Sequence, residues 1–173
     1  MSKLIWTASI GLFLLFSFST ASALDEQDAG SQSSGEVIGR IQISAIDVDS
    51  EIREGVAQSV IDQGVAHWAG SAMPGQLGNM ILAGHRVTYK APFKRLNELK
   101  PGDEIFIIGA DGVRILYTVT NSNIVIKSND RWILTEHDES GSRLTIFTCH
   151  PKGYKVQRLV IFAAHVPSPQ LVD

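Results

Sequence analysis

The chain has 173 residues, with 15 Lys+Arg against 18 Asp+Glu, five His and a single cysteine. That length supports one domain of ordinary size plus appendages, and 44% hydrophobic against 19% charged residues excludes a disordered chain and a multi-span membrane protein. The lone cysteine excludes an intrachain disulfide and a thiolate-rich structural zinc site, and a formal charge of -3 without a basic block excludes a nucleic-acid partner.

In chain order, Met1-Ser2-Lys3 leads into residues 4–24, which carry no charge. At 1.5 Å per residue such a helix spans roughly 30 Å of hydrocarbon, long enough for an anchor. Ala21-Ser22-Ala23 is equally an A-x-A pattern where signal peptidase cuts. One cation before the run and acids after it orient the N-terminus to the cytoplasm. Both readings therefore place the rest of the chain outside. It would sit at the outer face of the cytoplasmic membrane if anchored, or be secreted or periplasmic if cleaved after Ala23. Residues 25–36 hold Asp25, Glu26, Asp28 and Glu36 among Ser, Gly and Gln, a composition that buries no core and reads as a flexible tether. The folded domain is expected over residues 37–166, followed by a Pro-Ser-Pro-Gln tail within 167–173.

Inside the domain, Ile38, Ile41 and Ile43 predict a strand over 37–44, and residues 45–52 predict another. Val56, Val60 and Ile61 have helical spacing over 55–64, with Gly64 at the C-terminal end. A turn-rich segment, 74–79, opens into Met80-Ile81-Leu82-Ala83, a continuous apolar run of the buried-strand kind. Phe93, Leu96 and Leu99 share one face of a short helix over 91–99. Pro101-Gly102-Asp103 turns into a strand at 104–108, joined as a hairpin through the loop 109–112 to a strand at 113–121. Runs at 124–126, 144–148 and 159–164 complete the set. About eight strands with only short helices predict a mostly-β barrel or sandwich.

Three residues carry the candidate chemistry. Cys149 ends the run 144–148 and precedes His150-Pro151, where a strand must stop, so its thiol can face a groove from a rigid backbone. A buried small hydrophobe is the plainer reading of a free cysteine. His85 closes the strand at 80–83, and a nucleophilic thiol needs an imidazole to take its proton and later protonate a leaving amine. His150 is nearer in sequence, but adjacent side chains on an extended backbone point to opposite faces. Arg158 opens the last strand, where a guanidinium can hold a carbonyl or a developing oxyanion. Taken singly, each of the three is as readily structural. Their joint placement at strand ends is what makes a site.

Thr145-Ile146-Phe147-Thr148-Cys149 followed by Arg158 resembles the signature of the sortase family, in which a TLxTC strand end precedes an arginine on the next strand. Gly78-Asn79 through Gly84-His85-Arg86 is similar to that family's catalytic-histidine segment. Pro74-Gly75, Ala91-Pro92-Phe93, residues 99–103 and Cys149-His150-Pro151 extend the resemblance over nearly all of residues 37–166. Residues 89–93 and 148–151 are most similar to the class E branch, with classes D and F as near neighbours. Ile146 departs from the usual Leu, a volume-conserving change, and residues 151–157 carry no recognisable motif.

The resemblance implies a closed or nearly closed eight-stranded β-barrel and a cysteine transpeptidase without a cofactor. Cys149 would attack the threonine carbonyl of a C-terminal sorting signal, of Leu-Pro-x-Thr-Gly or Leu-Ala-x-Thr-Gly type, and form a thioester. An amine acceptor, either a peptidoglycan precursor or a protein lysine, would resolve it. His85 would be the acid and base, and Arg158 the substrate and oxyanion holder. Thr148 would orient Arg158 or the substrate, and Tyr89 would line the groove for the residue before x. The substrates would be exported proteins bearing sorting signals.

Other features point less far. Glu136-His137-Asp138-Glu139 reads as a solvated turn before it reads as a calcium site. A zinc site at Cys149 and His150 would need distant ligands, so no metal is expected. Trp68 and Trp132 read as core aromatics. Two rivals stand beside the transpeptidase. An L,D-transpeptidase would carry Ser-x-Gly before its cysteine, where this chain has Ile146-Phe147-Thr148. A catalytically silent barrel that binds a peptide or partner is the rival from another class.

Overall fold

The computed structural model describes residues 35–130 and 141–167. The uncharged segment 4–24, residues 25–34 of the acidic tether, Trp132, the acidic group at 136–139 and residues 168–173 lie outside them. The strands are β1 (Val37–Ile43), β2 (Val48–Glu54), β3 (Val65–His67), β4 (Gly78–Gly84), β5 (Glu104–Gly109), β6 (Arg114–Lys127), β7 (Ser142–His150) and β8 (Gln157–His165). They close into a barrel in the order β1-β2-β3-β4-β7-β8-β6-β5, with β5 returning to β1. Two pairings are parallel, β2 with β3 and β4 with β7; the rest are antiparallel.

Period-2 patterning builds the wall. Ile41 and Ile43, Val48 and Ile52, Ile105 and Ile107, Leu144 and Ile146, and Leu159 and Ile161 point inward into one apolar cluster. β4 is buried along nearly its whole length, as its unbroken apolar run predicts for a strand covered on both faces. Phe93, Leu96 and Leu99 join the interior from the long connection after β4, and all three are fully buried.

The connection departs from expectation in form. The apolar face is buried as its spacing predicts, but residues 91–99 make only a 3-10 turn at Leu96–Glu98. Ala91 has φ 41°, a left-handed conformation through which no α-helix runs. The helix over 55–64 likewise shrinks to α1 (Gln58–Ile61). Residues Ser44–Ile46 form a 3-10 turn, so the second strand starts at Val48. The runs at 113–121 and 124–126 are one strand, β6, which keeps its pairing with β8 through two register shifts around Asn121. β3 has no signature in the sequence, because three residues are too few to show a period. The total of eight holds because one strand was gained and two were merged.

Candidate active site

The wall has two sides, and alternation decides which residue meets solvent. Met80 and Leu82 on β4, Leu144 and Ile146 on β7, and Leu159 and Ile161 on β8 face inward. The intervening residues therefore face outward: Ala83 on β4, Phe147 and Cys149 on β7, Arg158, Val160 and Phe162 on β8. Cys149 and Arg158 are direct register partners on that outer face. β4 runs parallel to β7 with Ala83 opposite Phe147, and Thr148 Oγ1 donates to the Gly84 carbonyl at 2.7 Å, carrying the alignment past the end of β4. His85 follows Ala83 in the outward series of β4 as Cys149 follows Phe147 in that of β7. An outer apolar cluster of Ile124, Ile126, Phe147, Val160 and Phe162 floors the surface next to them. Trp68 packs tilted on Phe147 with centroids 6.4 Å apart, and is half-buried.

His85 is held on two sides. Its Nε2 donates to Asp62 Oδ1 at 2.8 Å, and Gln58 Nε2 donates to the same oxygen at 2.6 Å. The Tyr89 ring stacks on the imidazole at 5.1 Å between centroids and 26° between planes. Tyr89 takes φ 55°, a left-handed conformation that folds it back over the histidine. The His85 N–H, followed by Gln58 and the Tyr89 hydroxyl, holds the Asp62 carboxyl below the usual aspartate range. The same carboxylate pushes the Tyr89 phenol up. The structure thus places the Tyr89 ring against the histidine.

Asp62 and Gln58 are members of the site that sequence reasoning missed. The apolar spacing of residues 55–64 does not reveal them; the signal is polar, since Gln58 and Asp62 stand four apart, one turn of a helix.

On the inner side of the wall, Thr148 is buried and spends its hydroxyl on Gly84. His150 stands on the side opposite Cys149, and its Nδ1 accepts from Arg86 Nη1 at 2.9 Å. Arg86 also reaches the Cys149 carbonyl at 3.5 Å and Asn97 Oδ1 at 2.9 Å. Its burial pulls the guanidinium below its ordinary value. Arg158 Nη1 donates to the carbonyls of Lys155 and Gln157, both at 3.1 Å, so the loop after β7 holds one end of its fork. Nε and Nη2 have no partner among the described residues. No group of three or more His, Cys, Asp or Glu is placed to hold a metal among the described residues.

Comparison with known proteins agrees with this geometry. The model of the sortase domain family matches residues 41–166, and the chain belongs to the sortase family. It is 29% identical to sortase D of Bacillus subtilis over 135 residues, 76% of this chain and 65% of that protein. It is 29% identical to sortase SrtE1 of Streptomyces coelicolor over 153 residues, 82% of this chain and 44% of that protein. The match thus spans about two thirds or less of those curated relatives' length. Among solved structures, the Clostridium perfringens sortase D5 transpeptidase superposes with a TM-score of 0.69 at 29% identity, over 79% of this chain and 82% of its own. A sortase E variant from Streptomyces avermitilis superposes with a TM-score of 0.68 at 26% identity, over 79% and 91%. Sortase C-1 of Actinomyces oris gives 0.70 at 29%, over 77% and 76%. The similarity spreads over several sortase classes and singles out no branch.

Proposed function

We propose that the protein is a cysteine transpeptidase of the class E type, with Cys149 as nucleophile, His85 as acid and base, and Arg158 as oxyanion holder. The observation that supports this reading is the shared outer face: Cys149 and Arg158 are register partners, and the parallel β4–β7 register runs to Ala83 opposite Phe147, two residues before His85 and Cys149. The thiol would give its proton to the imidazole and attack the carbonyl carbon of a threonine in a sorting signal of Leu-Pro-x-Thr-Gly or Leu-Ala-x-Thr-Gly type. The Thr–Gly bond breaks, the departing amine takes the proton, and a thioester remains on Cys149. An acceptor amine then attacks the thioester, loses its proton to His85 and frees the thiol as the new amide forms.

The residues around the three have defined parts in this scheme. Asp62 accepts the Nε2 proton of His85, so proton exchange with the thiol and the amines runs through Nδ1. The free Nε and Nη2 of Arg158 are the donors available to the acyl oxygen. Thr148 ties the cysteine strand to the histidine segment, and Tyr89 covers the face of the imidazole. The substrates are exported proteins with C-terminal sorting signals, and the acceptor is a peptidoglycan precursor or a protein lysine. The hydrophobic N-terminus would hold the enzyme at the outer face of the membrane, or direct its release if cleaved.

The test is thioester capture. The fragment from Val37 is incubated with peptides of both signal types, with and without hydroxylamine, and followed by mass spectrometry. Hydroxylamine-dependent cleavage that vanishes in Cys149→Ala is the expected result. No thioester with any signal in the panel would leave a peptide-binding barrel as the better reading.

A further inference from the structure

Beyond the ends of β4 and β7, the connection after His85 and the loop after Cys149 line an open cavity of about 490 Å³. Arg86, Lys90, Lys94 and Lys152 line it, with Tyr89 and Gly153 between them, and its lining contains no Asp or Glu. Two acids near these residues are already engaged. Glu98 feels the charge of Lys152 but is bound by Arg95 at 2.7 Å, and Asp62 is held by His85 and Gln58.

Arg86 is the unusual member. It is 6% exposed, its partners are the neutral groups of Cys149, His150 and Asn97, and its buried Nε has none. A guanidinium taken out of water without a carboxylate is costly unless a counter-charge arrives. Two walls of this cationic cavity also touch the site, since Tyr89 stacks on His85 and Arg86 reaches the Cys149 carbonyl. Tyr89 and Ala91 both hold left-handed backbone, so the turn that presents Lys90 is kept at a conformational cost.

We propose that this cavity binds a free carboxylate on the amine acceptor, so that the acyl group passes to an amine whose molecule also carries a carboxylate. The inference rests on the transpeptidase reading above. The apolar outer cluster beside Cys149 and Arg158 suits an uncharged peptide stretch, whereas the cavity lies past the strand ends on the histidine side, where amines leave and arrive. Four cations would repel an ammonium. A carboxylate on the same molecule offsets that repulsion, and the remaining positive field favours the unprotonated, nucleophilic amine.

The experiment compares two acceptors with the same amine, triglycine and triglycinamide, at matched ionic strength. The enzyme is first acylated with a sorting-signal peptide, and the partition of that acyl-enzyme between aminolysis and hydrolysis is measured. Triglycine is expected to be captured roughly tenfold better, with the preference falling towards unity in Lys90→Gln and Lys152→Gln and surviving in Lys152→Arg. Equal partition with both acceptors overturns the proposal while the transpeptidase stands. If no acyl-enzyme forms with any peptide, the transpeptidase reading fails instead. The binding arm then decides by itself. Triglycine, but not triglycinamide, is expected to shift the 15N amide signals of Val87, Lys90 and Gly153 in the wild-type protein. Identical shifts with both, or none with either, overturn it.

Discussion

At the residue scale, the proposed mechanism separates groups that react from groups that aim them. Asp62 is of the second kind, only 22% exposed at its side chain and aimed at an imidazole that is 14% exposed. Asp62→Asn keeps the shape but offers an amide where a carboxylate accepted the Nε2 proton, and is expected to lower kcat at least tenfold with a smaller change in KM. Steady-state cleavage of a sorting-signal peptide measures this. The same residue carries a pH signature. Its folded carboxyl lies below its unfolded value, so the linked stability is fully present above about pH 4 and is lost as pH falls through the lowered native value. Thermal melts from about pH 5 to about pH 2 should therefore fall more steeply for wild type than for Asp62→Asn. Parallel curves would mean that the hydrogen bonds to Asp62 contribute nothing to the fold. Arg158→Lys tests the other kind of group. An ammonium does not reproduce the planar fork, two of whose nitrogens are free for substrate, and thioester formation is expected to drop by roughly a hundredfold. A variant that keeps most of its rate would remove Arg158 from the proposed role. His67 shows the contrast. It is buried, with Nδ1 on Glu54 at 2.6 Å and Nε2 near Ser71 and Ala72, and is spent on joining β3 to its surroundings.

At the scale of elements, the exit of β4 is the tightest joint. A Cβ added at Gly84 would stand 2.8 Å from the Phe93 ring and 3.1 Å from Pro92. Phe93 is fully buried and its N–H donates to the His85 carbonyl at 3.1 Å, so the ring has little room to withdraw. Gly84→Ala is expected to cost about 1–3 kcal/mol by denaturant unfolding and to slow acylation by displacing His85. An unchanged midpoint would show that the joint yields. This joint also marks what the sequence made legible. The runs 80–83, 144–148 and 159–164 are long enough and apolar enough to read as strands, and Cys149, His85 and Arg158 could be placed at their ends. β3 is set by its pairing with β2 and β4 rather than by its three residues. The two bulges of β6 depend on its match to β8, which no local period encodes. Asp62 and Arg86 act across 23 and 64 positions of sequence, on His85 and His150, and such partners become visible only when the chain is folded.

At the scale of the whole molecule, closure is the dominant fact. β8 is paired on both sides, to β7 and to β6, and it contributes Arg158 and the interior residues Leu159 and Ile161. A chain ending at residue 153 would open two edges at once and lose part of the core. It is expected to show no cooperative urea transition by circular dichroism, and a sharp transition would mean that seven strands suffice. The two-sided wall sets a further rule. Cys149 and Thr148 are neighbours along the chain yet lie on opposite sides of it. Inserting one residue within β7 would send the thiol into the oily interior and bring the threonine hydroxyl out to the groove. Two inserted residues would restore the sides and move the chemistry one rung along. Such a site is indexed by an even-step ruler: its loops can lengthen freely, but inside a strand any drift must come in pairs.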